Sequence, residues 1–212
     1  MTEVLQALEG ATERYYSRKI SEFGATPRGV DWNGHESQQI RFHQLAKIIG
    51  EAGQEPISLN DLGCGYGAYY DYLNTLSIPL SYRGTDLSAG MIAAARNAHP
   101  GAGNAQFEVK RTCAGPAHYS VASGVFNVRQ TASVTDWHAY VLSMLEELDS
   151  NSSRGFAFNC LSIYSDLDRQ RADLYYGDPL FFFDHCKRHF AKNVALLHDY
   201  DLYEFTVLVR KS

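Results

Sequence analysis

The four cysteines, Cys64, Cys113, Cys160 and Cys186, include no C-x-x-C pair, so neither a zinc site nor a disulfide framework is indicated. No apolar run approaches the roughly 20 residues that a bilayer-spanning helix needs. The opening Met1-Thr2-Glu3 lacks the basic-then-apolar plan of a secretory leader. The expectation is a cytoplasmic protein with free thiols and no membrane partner. Basic residues form no long run, and the formal charge is −5, the wrong sign for tracking a phosphate backbone. Nucleic acid is therefore not an expected partner. Internal repeats, low-complexity tracts and an interdomain linker are also missing, so residues 1–212 read as a single domain.

What is present centres on Ile57-Ser58-Leu59-Asn60-Asp61-Leu62-Gly63-Cys64-Gly65-Tyr66-Gly67. A β-like run ends in three glycines spaced two apart, which predicts a strand, a tight turn and a helix start. Glycine tolerates positive φ and lets a ligand touch bare backbone. Gly63-x-Gly65-x-x-Ala68 also satisfies the loose dinucleotide pattern. The context adds two acids: Asp61 opens the motif, and Asp86 closes the next apolar run, one helix and one strand further on.

Ahead of this motif, Val4, Leu8, Ala11 and Tyr15 predict an amphipathic helix from Thr2 to Ile20, broken by Gly24, Pro27 and Gly29. A second helix should start at Asn33 as N-cap and bury Phe42, Leu45, Ala46 and Ile49, with Gly50 and Gly53 ending it. From Pro56 on, strands alternate with helices, the pattern of a mostly parallel sheet covered on both faces. Strands are expected near Ile57–Leu62, Leu80–Asp86, Gln106–Lys110, Tyr119–Phe126, Phe156–Cys160, Val194–His198 and Leu202–Val209. Ser88 should cap one helix, Trp137 to Leu148 mark another, and Asp178-Pro179 should open a third. Only Asp199, Tyr200 and Asp201 join the last two strands, too short for a parallel crossover, so that pair must be antiparallel.

The Asp61 to Gly67 turn and the Gly84-Thr85-Asp86-Leu87-Ser88 stretch resemble the first two motifs of the class I S-adenosylmethionine-dependent methyltransferases. The resemblance covers about residues 40–212. It implies an α/β three-layer sandwich around a seven-stranded, mostly parallel sheet of order 3-2-1-4-5-7-6 with an antiparallel last strand. Residues 1–53 would form an N-terminal helical cap on a Rossmann-like core, 54–212, with an insertion at about 162–177. The implied cofactor is S-adenosyl-L-methionine, with S-adenosyl-L-homocysteine as product. Asp61, Gly63, Cys64, Gly65, Gly67, Asp86, Leu87, Thr112, Ser123 and Gly124 would surround it.

Aromatic and polar residues before the core, together with those after the fourth strand, form the expected acceptor site: Tyr15, Tyr16, Arg28, Trp32, Arg41, Phe126 and Asn127. Arg28 or Arg41 could pair with a carboxylate, and Phe126 fits core and cleft alike. The acceptor is expected to be a small polar molecule methylated on oxygen or nitrogen, and His138 and Tyr164 are candidates for moving its proton. No metal is expected. Metal-dependent members of similar fold carry carboxylates where this chain has Asn127 and Asn159. The protein is expected to work as a monomer or homodimer. Two rivals remain: a nicotinamide-dependent oxidoreductase, which predicts a parallel last strand, and a non-catalytic binding module, favoured if Phe181-Phe182-Phe183 blocks the cleft.

Overall fold

The structure is a computed structural model that describes residues 2–32, 34–50 and 55–211. Its strands are β1 (Ile57–Leu62), β2 (Leu80–Asp86), β3 (Ala105–Val109), β4 (Ala117–Ala122), β5 (Ser152–Leu161), β6 (Asn193–Leu197) and β7 (Glu204–Arg210). They form one sheet of order β3-β2-β1-β4-β5-β7-β6. β1 to β5 run parallel, whereas β7 is antiparallel to both neighbours. The antiparallel pairing follows from the short link between β6 and β7, which runs over 198–203, slightly longer than expected. This arrangement removes the parallel last strand on which the oxidoreductase reading depended.

Side-chain alternation divides the core in two. Phe156, Phe158 and Cys160 of β5 and Val207 and Val209 of β7 face one layer, where α5 (Val134–Ser150) and α6 (Pro179–His189) supply Trp137, Leu145 and Phe182. Ala157 and Leu208 face the other, against α2 (His35–Ala46), α3 (Ala68–Thr75) and α4 (Ala89–Ala98). The period of two therefore places helices on both faces and explains why the central strands are buried along most of their length. The first helix, α1 (Thr2–Phe23), packs on α4 and α5 at the cleft end of the sheet.

Helix starts follow the capping chemistry read from the chain. Ser88 Oγ accepts from the Met91 N–H at 3.3 Å, and Asp178 caps α6 through the Leu180 N–H at 2.9 Å, with Pro179 at the first helical position. Ser133, not foreseen, caps α5 by accepting from the Asp136 N–H at 3.0 Å. The predicted Asn33 cap, Gly53 stop and boundary at 53/54 lie outside the described residues.

β4 corrects the expected Tyr119–Phe126 strand. It stops at Ala122 because Gly124, at φ 71°, turns the chain out of the sheet. That turn sends Phe126 into the core. Its side chain is fully buried, it packs edge-on to Phe158, and its carbonyl accepts from Trp137 Nε1–H at 2.8 Å. The insertion closes on itself at Ser162 and Gly177 and bridges back to Val128 through Leu174.

Candidate active site

The cleft lies beyond the carboxyl ends of β1, β2 and β4, where the strand order reverses, as ligand sites do in open parallel sheets. Its floor is the turn after β1. Gly63, Gly65 and Gly67 all adopt positive φ, at 75°, 55° and 89°. A Cβ at Gly63 would lie 2.5 Å from Val125 Cγ2, and one at Gly67 2.9 Å from the His99 ring. Any side chain would therefore be strained in backbone and in space. The N–H groups of Gly63 and Cys64 both donate to the Thr85 carbonyl, at 2.8 and 3.0 Å, which binds this turn to the end of β2.

Asp86 sits where the turn meets α4. Its Oδ2 accepts from the Gly65 N–H at 3.0 Å and its Oδ1 from the Ser88 N–H at 2.8 Å. Burial pushes its pKa up to about 6 against those backbone donors. Asp61 is more deeply placed: Oδ2 accepts from the Tyr82 hydroxyl at 2.5 Å, while the buried Oδ1 has no partner among the described residues. Burial raises it to about 7, opposed by the Tyr82 bond and reinforced by the Asp86 charge. Ser123 Oγ, also on the wall, is buried and unpartnered among the described residues. Unmet acceptor capacity at Asp61 beside bare glycine backbone fits a ligand that brings its own donors.

Two chambers adjoin at this end of the sheet, one over the glycine turn and one beyond Gly124, of about 910 and about 1000 Å³ counting the open solvent at their mouths. The first is lined by eight of the residues predicted for the cofactor: Asp61, Gly63, Cys64, Gly65, Asp86, Leu87, Ser123 and Gly124. Gly67 instead stands behind the turn as the N-cap position of α3. Thr112 does not line the chamber either. β3 ends at Val109, and the chain leaves it presenting Lys110 and Arg111, while the Cys113 N–H is held by Glu147 Oε1 at 3.0 Å. Sequence reasoning missed Thr12, Glu13, Tyr140 and Met144 on this wall. Tyr140 and Met144 share a helix face by their spacing, a signal that reads equally as core.

The second chamber shares Tyr16, Val30, Trp32 and Gly124 with the first. Trp32 lies against Gly124, where a Cβ would be 3.0 Å from its ring, and the Arg41 guanidinium carbon stands 4.7 Å from the ring centre. Arg41 is in turn fixed by Glu204, donating from Nε at 2.7 Å and Nη2 at 2.8 Å. Asn127 and Asn159 complete the buried group by donating to Glu204 at 3.2 and 3.1 Å. Their amide oxygens are also committed: Asn159 Oδ1 accepts from the Gly124 N–H at 2.7 Å, and Asn127 Oδ1 from the Leu161 N–H at 3.0 Å.

Of the predicted acceptor residues, Tyr16, Trp32, Arg41 and Asn127 line this chamber. Tyr15, Arg28 and Phe126 do not. The Tyr15 hydroxyl donates to Asp31, and Phe126 is in the core. His138 and Tyr164 are on neither wall. His138 occupies the second turn of α5, bonded through Nδ1 to the Tyr175 hydroxyl at 2.6 Å and packed on Phe181 and Phe182; burial lowers its pKa. Tyr164 is 61% exposed, its ring tilted and 6.1 Å from that of His198. Phe181 and Phe182 leave the cleft open, since Phe182 packs between Phe158 and Phe205. The insertion contributes Arg169, Arg171 and Tyr176, the β6–β7 link Tyr203 and β7 Glu204; of these, Arg169, Arg171, Tyr203 and Glu204 were not foreseen.

A family profile described as "Methyltransferase domain" matches residues 60–150. The chain is 51% identical over 166 residues to "Putative methyltransferase Rv1506c" of Mycobacterium tuberculosis (strain ATCC 25618 / H37Rv), covering 78% of this chain and 99% of that one. Among solved structures, magnesium protoporphyrin IX methyltransferase from Synechocystis PCC 6803 with bound SAH superposes with a TM-score of 0.71 at 12% identity, covering 96% of this chain and 99% of that chain. Human N-acetylserotonin methyltransferase in complex with SAM gives 0.59 at 11% identity, covering 96% of this chain and 56% of that chain. At such identities the structural matches speak for the fold alone.

Proposed function

The chain belongs to the class I S-adenosylmethionine-dependent methyltransferases, and we propose that it methylates a small polar molecule, on oxygen or nitrogen, held in the second chamber. The observation that carries this reading is the shared wall of Tyr16, Val30, Trp32 and Gly124, which sets two small-molecule spaces edge to edge. S-adenosylmethionine supplies a methyl group on a sulfonium that is already activated toward an in-line nucleophile. The residues have only to hold, align and keep out water.

The glycine turn and Asp86 fit the ribose of the cofactor. Each carboxylate oxygen already takes one backbone N–H and retains lone-pair capacity for a hydroxyl donor. The unpartnered Asp61 Oδ1 suits the ammonium end. Tyr16 stands between the chambers as a donor rather than a base, since burial and the nearby Asp31 charge hold its phenol well above its ordinary range. This reading makes the chain one working domain, monomer or homodimer, acting in the cytoplasm without metal, nucleic acid or membrane. Calorimetry with the two sulfur compounds and with NAD is the test. Binding of S-adenosylmethionine and S-adenosylhomocysteine without NAD is expected; NAD binding with no response to either sulfur compound would overturn it.

A further inference from the structure

Building on the two-chamber reading, we propose that the methyl acceptor carries an anionic group, a carboxylate or a phosphate ester, recognised by Arg169 and Arg171 of the insertion. Five charged residues line the second chamber: Arg41, Arg169, Arg171, Asp31 and Glu204. Both acids are neutralised from within. Glu204 is occupied by both nitrogens of Arg41 and by the two asparagine amides. Asp31 holds Lys19 Nζ at 2.6 Å and the Tyr15 hydroxyl.

Arg41, the carboxylate partner expected from sequence, is therefore spent on Glu204, and Arg28 does not reach the chamber. The arginines of the insertion differ. Their counter-ions, Asp168 and Asp173, do not line the chamber and are 81% and 42% exposed. Arg169 lies 3.9 Å from Asp168, and Arg171 gives Asp173 its Nε and Nη2 but not its Nη1. The long, exposed Asp168 contact holds Arg169 weakly, and the Asp173 pair takes the Nε–Nη2 edge of Arg171 but leaves its Nη1 uncommitted among the described residues.

The segment that carries Arg171 is braced. Its N–H donates to the Tyr176 hydroxyl at 2.9 Å, and Arg129 donates to the carbonyls of Leu174 at 3.1 Å and Ala172 at 2.5 Å. With its backbone held this way, Arg171 can offer its remaining Nη1–Nη2 edge to a carboxylate or phosphate. The chamber wall thus presents two cations to an acceptor and no uncompensated acid.

The test uses benzoate, its neutral analogue benzamide, and inorganic phosphate, titrated at fixed ionic strength into the whole protein with and without S-adenosylhomocysteine. Binding is followed by calorimetry and by tryptophan emission, since Trp32 lines the chamber. Benzoate or phosphate should bind at least about tenfold more tightly than benzamide. The R169A/R171A double variant should lose that preference while keeping its affinity for S-adenosylhomocysteine. Preference for benzoate alone or phosphate alone distinguishes the two kinds of anion. Equal binding of benzoate and benzamide in the wild-type protein, with no binding of phosphate, overturns the proposal without any variant, and so does an undiminished preference in the folded double variant. Loss of S-adenosylhomocysteine binding by the wild-type protein would instead count against the function proposed above, while the titrations without it still read the chamber.

Discussion

The two chambers are built on different plans. The first takes its floor from the stretch between Asp61 and Leu87, where positive-φ glycines leave the backbone uncovered and the Asp86 carboxylate binds the turn together. The second is assembled from side chains on α1, α2, the turn after β4, the insertion and β7. Its central pair, Arg41 and Glu204, is separated by 163 positions. A site made of backbone can change its side chains little without losing its shape. A site made of distant side chains can vary its specificity while the sheet stays the same, but its members also hold the fold together.

That contrast predicts that damage to the second chamber is felt first in stability, and damage to the first in binding. Glu204→Ala should have the largest effect, since it leaves Arg41 buried without its counter-ion beside two amide donors. Breaking a buried pair in this way costs about 3–5 kcal/mol, measurable as a lower urea midpoint. The folded fraction should still bind S-adenosylhomocysteine, and a loss below about 1 kcal/mol would mean that the pair does not hold the chamber.

Asp86→Asn should do the reverse. An amide keeps an oxygen for the Ser88 N–H but loses the charge offered to ribose hydroxyls and to the Gly65 N–H. Affinity for S-adenosylhomocysteine should fall by about tenfold or more, from about 1.5–3 kcal/mol per charge-assisted bond, while stability falls only by the lost Gly65 bond, about 1 kcal/mol. An unaltered dissociation constant would refute the ribose assignment.

A smaller effect is expected from pH alone. Burial pushes Asp86 up to about 6 and it binds hydroxyl donors as the ionised form, so its own contribution to affinity should be flat above that value and weaken as pH falls through it. Calorimetry from pH 5 to pH 8 should show this step in the wild-type protein and lose it in the Asp86→Asn variant. Asp61, raised to about 7, adds a second weakening in the same direction, and the variant retains it.

The smallest expected effect is none. Asn127 and Asn159 spend their amide oxygens on the N–H groups of Leu161 and Gly124, leaving no charged oxygen ligand at either position. Turnover of an identified acceptor should survive exhaustive treatment with EDTA. A loss restored by magnesium would show that carboxylates of the insertion act as ligands.

Much of the first chamber was readable along the chain because each requirement there is local. Three glycines two apart mark a turn that only glycine can make, and an acid at the end of the next strand falls beside it by the geometry of one helix and one strand. Strand alternation, the caps at Ser88 and Asp178 and the antiparallel end of the sheet follow from equally short-range rules. Phe126 shows where such rules stop. An apolar run suggested that β4 continues, but a single positive φ at Gly124 redirected the chain and put the ring against Phe158.

The roles of the polar residues in the second chamber were settled by the tertiary structure. Arg28, Arg41, Arg169 and Arg171 are chemically alike in the sequence, and nothing adjacent to Arg41 announces that Glu204 will neutralise it. His138 and Tyr164 carry the right functional groups, yet packing turns one toward Tyr175 and leaves the other in solvent. The sequence by itself determined the alternating strands, the antiparallel last pair and the glycine turn, because backbone geometry, period and connection length act over a few residues, whereas the strand order that makes the cleft was implied by the resemblance those motifs carry. Which side chains meet across the cleft, and which charges remain free to meet a ligand, was decided only when folding brought distant segments together and burial forced each acid to find a partner.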